Sequence, residues 1–149
     1  MKYKLAMKKL IILALFVPFF AKAQFTITNS STTSLLEVRE GTWPLELQRI
    51  IKETDTCYVL EFRDQQYTTV VNMSTLRFGN LQQLKYFQQA LSALKKGGTG
   101  EMANFKGYTL KRVDVKKDGV WYTLSCGDGE LTNFVQADAD KMIATIKTL

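Results

Sequence analysis

The chain has 149 residues, with 20 basic and 14 acidic side chains for a formal charge of +6, two cysteines and no histidine. The missing imidazole excludes Ser-His-Asp and Cys-His nucleophilic systems and removes the commonest zinc ligand and general base. Cys57 and Cys126 form no CxxC motif and cannot close a Cys-rich zinc site by themselves.

Residues 1–23 read as a secretory signal peptide. Lys2, Lys4, Lys8 and Lys9 precede an apolar run over 10–21, and Ala21-Lys22-Ala23 places small residues around a cleavage point before Gln24. That run has 12 residues, short of the about 20 that a membrane-spanning helix needs. Cleavage there leaves 126 of the 149 residues, enough for one domain with its own core. Five of the 20 basic residues and none of the 14 acidic ones precede Gln24, so the charge falls from +6 to +1. The basicity belongs to the leader, and charge gives no argument for nucleic acid. Lipid attachment would require a cysteine where Gln24 stands, and no later stretch is long and apolar enough to cross a membrane. The expectation is an exported chain, periplasmic or extracellular, with neither a transmembrane nor a lipid anchor.

Residues 24–33, rich in Ser and Thr, read as a flexible lead-in, and 34–149 as a single α+β domain. Strands are predicted over 34–40, 45–53, 56–62 and 67–73. The third is apolar on both parities around Tyr58, Val59 and Leu60, which suits a central strand covered on two faces. A helix follows, with Asn80 as its N-cap and an apolar stripe of Leu81, Leu84, Phe87, Leu91 and Leu94. Lys95 and Lys96 suit its negative end, and Gly97 suits its stop. The GGTG stretch at 97–100 links two halves, 34–96 and 101–149.

After the link, strands are predicted at 108–116, with a bulge near Lys111 and Arg112, and at 120–126. A two-residue turn at Asp118-Gly119 joins them. A last helix is expected directly after Gly127-Asp128-Gly129, burying Leu131, Phe134, Val135, Met142, Ile143, Ile146 and Leu149. Residues 84–90 and 131–137 both read L-x-x-F-x-Q-A, a sign of a duplicated strands-then-helix unit. Strand runs each closed by a helix predict an α+β fold with a mainly antiparallel sheet and two amphipathic helices. Such a duplication resembles the whirly-like single-strand-binding folds in outline only. No motif carries that resemblance, and no nucleic-acid partner is expected.

The remaining chemistry is carboxylate chemistry. Asp128 and Glu130 at a strand–helix junction could act as acid and base, against the plainer reading of acids favoured at a helix start. Glu61 and Asp64 flank a turn, and Asp138 and Asp140 fall on different faces of a helix without the spacing of a calcium loop. Ser92-Ala93-Leu94-Lys95 matches S-x-x-K, but no S-D-N or K-T-G accompanies it. Neither a cofactor motif nor a metal-ligand set is present in the sequence.

Aromatic residues supply the positive signal. Trp43 lies in a turn before Pro44. Trp121 points away from Val120, Tyr122 and Leu124, onto a face that Arg112 and Lys116 would share if the strands pair. These four residues form the expected contact surface for an envelope protein or a carbohydrate, the alternative being a Trp121 buried under a second layer. Cys57 and Cys126 either pair, closing a loop worth on the order of 4 kcal/mol, or stay apart as small buried side chains.

The sequence thus favours a small exported, non-enzymatic binding domain of the bacterial cell envelope: an adaptor, an inhibitor or a chaperone-like protein. Two other classes compete. One is a carboxylate-dependent hydrolase of envelope polymers; the other is a structural subunit that self-associates through strand edges.

Overall fold

The computed structural model describes residues 29–39, 43–127 and 129–149. The expected signal peptide, the first half of the lead-in (24–28), 40–42 and Asp128 lie outside them. Four strands, β1 (Ser30–Arg39), β2 (Leu45–Lys52), β3 (Asp55–Arg63) and β4 (Met73–Phe78), are closed by helix α1 (Leu81–Lys96). The order then repeats: β5 (Met102–Phe105), β6 (Tyr108–Val115), β7 (Gly119–Cys126), β8 (Leu131–Val135) and helix α2 (Gln136–Lys147). Each set of strands is a four-stranded antiparallel sheet in sequential order. The fold is α+β.

Side chains alternate across a strand, and directly opposed residues of an antiparallel pair share a face. One face of the first sheet therefore carries Leu45, Leu47, Tyr58, Leu60, Phe62, Leu76 and Phe78, all buried. The matching face of the second carries Tyr108, Leu110, Tyr122, Leu124 and Phe134. Leu84, Phe87, Leu91 and Leu94 of α1, with Ala139, Met142, Ile143 and Ile146 of α2, complete one cluster. Each helix touches both sheets: α1 packs on β3, β4, β5 and β6, and α2 on β1, β7 and β8. Phe78, Phe87 and Phe105 join first sheet, helix and second sheet, with ring centroids 5.2, 5.4 and 6.5 Å apart. Phe62 meets Tyr108 edge-on at 6.4 Å.

Polar contacts fix the helices in place. Asn80 Oδ1 accepts the Gln83 N–H at 2.9 Å, and Gln83 Oε1 accepts the Gly79 N–H at 2.8 Å, so α1 starts with reciprocal capping. Its far end is met by Arg112, whose Nη1 donates to the Leu94 and Lys95 carbonyls at 3.0 and 2.6 Å. At the start of α2, Asp138 accepts the Val135 N–H at 3.3 Å and pairs with Arg39 Nε at 3.4 Å, tying β1 to α2. Burial lowers the pKa of Arg39, and Asp138 partly offsets that.

Several local expectations are corrected. β1 begins at Ser30, inside the expected lead-in. The strand expected over 67–73 is irregular, and β4 occupies 73–78 instead, because that register sets Leu76 against Leu60 and Phe78 against Tyr58 in the core. β5 was not anticipated, being only four residues long. Residues Leu131–Val135 are a strand rather than the start of the last helix; Thr132 and Phe134 alternate inward there, and the helix begins at Gln136. The two L-x-x-F-x-Q-A stretches therefore sit on different structures, one on α1 and one across the β8–α2 junction. The repeat lies in element order and not in that motif. β6 and β7 pair without a bulge; the register shifts lie in β1. Their connection is a three-residue loop, since Val115 opposes Gly119, whose φ of +82° suits glycine.

Phe87→Ala should destabilise the fold by about 3–5 kcal/mol, whereas Tyr86→Ala on the solvent side of the same helix should change it by under about 0.5 kcal/mol; urea unfolding measures both. Lys95 Nζ also donates to Asp140 Oδ1 at 2.6 Å between the helices, and this bond above all holds the Asp140 carboxyl below its ordinary range. A lowered carboxyl pKa stabilises above the unfolded value of about 3.9 and ceases to do so as pH falls through the folded value. Both side chains are nearly half exposed, so solvent screening limits the gain to under about 1 kcal/mol. Asp140→Asn should remove it, flattening the acid limb of the stability curve slightly at low salt and not at 1 M salt.

Candidate functional site

The longest connection within either described sheet joins β3 to β4. Its neck is closed by the Asp64 N–H donating to the Asn72 carbonyl at 2.8 Å, beside the Arg63–Met73 pair. Its base is bound to the outer edge of β8. Asp64 is only 1% exposed, and its Oδ1 accepts the N–H groups of Gln66 and Leu131, each at 3.0 Å. The Gln65 N–H donates to the Leu131 carbonyl at 2.7 Å. The Gln65 side chain then acts as one more rung, accepting from Asn133 N and Nδ2 at 3.1 and 2.8 Å and donating to the Asn133 carbonyl at 3.2 Å. A side chain at Gly129 would place its Cβ 2.9 Å from Gln66 Oε1, at a φ of +99°, so glycine is needed where the loop meets the β7–β8 turn. Arg63 stacks over the Trp43 ring, 4.3 Å from its centroid, and its Nη2 lies 3.5 Å from the Thr68 carbonyl.

Above this base the loop is apolar and open. Tyr67, Val70, Val71 and Met73 are 48, 63, 66 and 41% exposed, and they make up four of the seven exposed large hydrophobic residues among the described ones. No charged residue occurs between Asp64 and Arg77. Tyr67, Val70 and Asn72 line a shallow depression of about 270 Å³. Such a surface favours contact with apolar or neutral polar groups over ionic ones.

The four residues expected as a contact surface are not brought together. Trp43 lies under Arg63, near the loop base. Trp121 sits half-buried on the outward face of β7, in a row with Val113 and Val135, and its Nε1 meets no acceptor among the described residues. Arg112 opposes Tyr122 and so projects from the other face, where it also bonds Asp114 at 2.8 Å; Lys116 is exposed in the β6–β7 loop. The expected sharing of one face fails because Arg112 differs in parity from the residues opposite Trp121.

The carboxylates are also dispersed. Glu130 precedes a strand and accepts the Tyr108 hydroxyl, while Asp128 is outside the described residues. Glu61 shares the Gln48 amide with Glu46, each at 2.9 Å, on the face of the first sheet opposite the main core. Ser92 accepts from Gln88 at 2.8 Å while Lys95 reaches Asp140, so the S-x-x-K residues engage different partners. Among the described residues no group of three or more His, Cys, Asp or Glu is placed to hold a metal ion. No described helix is long and apolar enough to cross a membrane. Cys57 and Cys126 are free thiols on different sheets.

The loop escaped sequence reading because Tyr67, Thr69, Val71 and Met73 alternate as a half-buried strand does. The available signal was the absence of charge between Asp64 and Arg77, which burial does not require here. No protein-family model matches the chain, and no curated sequence is significantly similar to it.

Asp64→Ala removes the acceptor of two backbone N–H groups, at about 1–3 kcal/mol each, so a loss of roughly 2–6 kcal/mol is expected in urea unfolding. Hydrogen exchange at Gln66 and Leu131 should accelerate in the same variant.

Proposed function

We propose that the chain is a small exported, non-enzymatic binding domain of the bacterial cell envelope that engages a protein partner through its β3–β4 loop. The observation that carries this reading is the coupling of an apolar, uncharged tip to a base held by hydrogen bonds of the buried Asp64 and of Gln65. Loops on a rigid scaffold commonly carry binding, and a base fixed beforehand reduces the ordering cost of association. Tyr67 offers a broad amphipathic anchor, and Val70, Val71 and Met73 supply apolar area around it. Export is supported by the order of basic start, short apolar run and small-residue exit in the leader. The near-neutral mature charge fits a partner recognised by shape and apolar contact.

A tagged chain, expressed at full length and purified, is crosslinked against an envelope extract of the producing cells. One protein at near-equal stoichiometry is expected. The double variant Tyr67→Ser, Val71→Ser should bind it at least about 100-fold more weakly, since each buried side chain of this kind contributes roughly 1.5–3 kcal/mol. Trp121→Ala should leave binding unchanged. Capture that survives the double variant, or no capture by the unaltered chain, would overturn the reading.

A further inference from the structure

Two open sheets have four outer strand edges, each a row of backbone donors and acceptors able to pair with another chain. Three of them are guarded here. The β8 edge is occupied by Asp64 and Gln65. The β4 edge is met by the second unit, with Tyr108 Oη donating to the Thr75 carbonyl at 3.4 Å and Lys106 Nζ to the Arg77 carbonyl at 3.2 Å. The β5 edge is four residues long, lies against α1 and is flanked by Glu101 and Lys106.

β1 is guarded over half its length. Its C-terminal part carries two register shifts, packs on α2 and is tied to it through Arg39 and Asp138. Residues 30–34 have none of these devices. They pair regularly with β2 on one side, from Ser30 opposite Lys52 to Ser34 opposite Gln48, and meet no strand on the other among the described residues. All five are exposed, and the sequence holds no charge between Lys22 and Glu37. A charge, a proline or a bulge is the usual protection for such an edge.

We propose that residues 30–34 pair antiparallel with the same residues of a second copy, about a two-fold axis through Thr32, joining two β1–β4 sheets into one. The segment Ser-Ser-Thr-Thr-Ser is self-complementary in that arrangement. Ser30 opposes Ser34, Ser31 opposes Thr33 and Thr32 opposes its own copy. Hydroxyl side chains both donate and accept, so each suits a partner of its own kind, and cross-strand Thr and Ser pairs are favourable. An isologous contact needs this match of a patch with itself. Five residues a side bury much less than a standard interface, so the dimer is weak and concentration-dependent. The edge lies at the end of the first sheet opposite the β3–β4 loop, so pairing leaves both loops free and gives a bivalent binder. This inference stands whether or not the loop captures a protein.

Sedimentation equilibrium on the purified chain over a concentration series tests it, with circular dichroism and urea unfolding confirming that each variant folds. The unaltered chain is expected to pass from monomer to dimer. Thr32→Lys and Thr32→Glu each set like charges against one another on the axis, so each alone should be monomeric where the unaltered chain is dimeric. An equimolar mixture of the two should recover the dimer, because only the mixed pair opposes Lys to Glu. A chain monomeric up to about 1 mM would overturn the proposal. So would Thr32→Lys dimerising as the unaltered chain does, or a mixture that stays monomeric.

Discussion

The buried carboxylate of Asp64 sets the geometry of much of this molecule. An antiparallel sheet of four strands has two edges, and backbone polar groups buried at an edge must find partners or cost stability. At β8 those partners come from the other sheet: Asp64 accepts the Leu131 N–H, and Gln65 supplies a backbone donor and a side-chain amide. Tyr108 and Lys106 do the converse at β4. The two units are therefore joined edge to edge by reciprocal side-chain rungs as well as by the shared apolar core. Each unit thus caps edge groups of the other.

The same residues divide the β3–β4 loop into a fixed part and a free part. Residues 64–66 are committed to β8, so the chain must leave and return at fixed points, and the Asp64–Asn72 bond closes the neck. Residues 67–71 gain no core contact and expose apolar area. A loop of that composition with no base would be a poor binding element, since fixing it would cost on the order of 1–2 kcal/mol per residue. Here that cost is met in folding for residues 64–66 at the base.

How much of this was legible in the sequence follows from the distance over which each feature is encoded. Helix α1 was readable because cap, apolar stripe, basic end and stop all lie within 80–97. β2, β3, β6 and β7 were readable as strands from local alternation or a continuous apolar run, and Asp118-Gly119 marked the reversal between β6 and β7. β4 was misplaced because 67–73 and 73–78 alternate equally well, and only the opposition of Leu76 to Leu60 across the sheet decides between them. The local pattern at β8 favours helix, because Leu131, Phe134 and Val135 fit a helical face when read alone. Its strand character depends on pairing with β7 and on the plug from residues 64 and 65, more than sixty positions earlier. The site was hidden for the same reason, since the partners of Asp64 and Gln65 lie on β8.

The two units share an order of elements but differ in how they end it. In the first, β3 and β4 are joined by the longest of the intra-sheet connections described; in the second, β7 and β8 are joined by the short turn at 127–130. The short turn brings Gly129, at a positive φ, beside the Gln66 side chain at the base of the longer loop. The extended connection carries residues 67–72, all exposed, which the core does not use. An apolar, charge-free tip on those spare residues adds nothing to the core, and its rationale has to lie outside the fold.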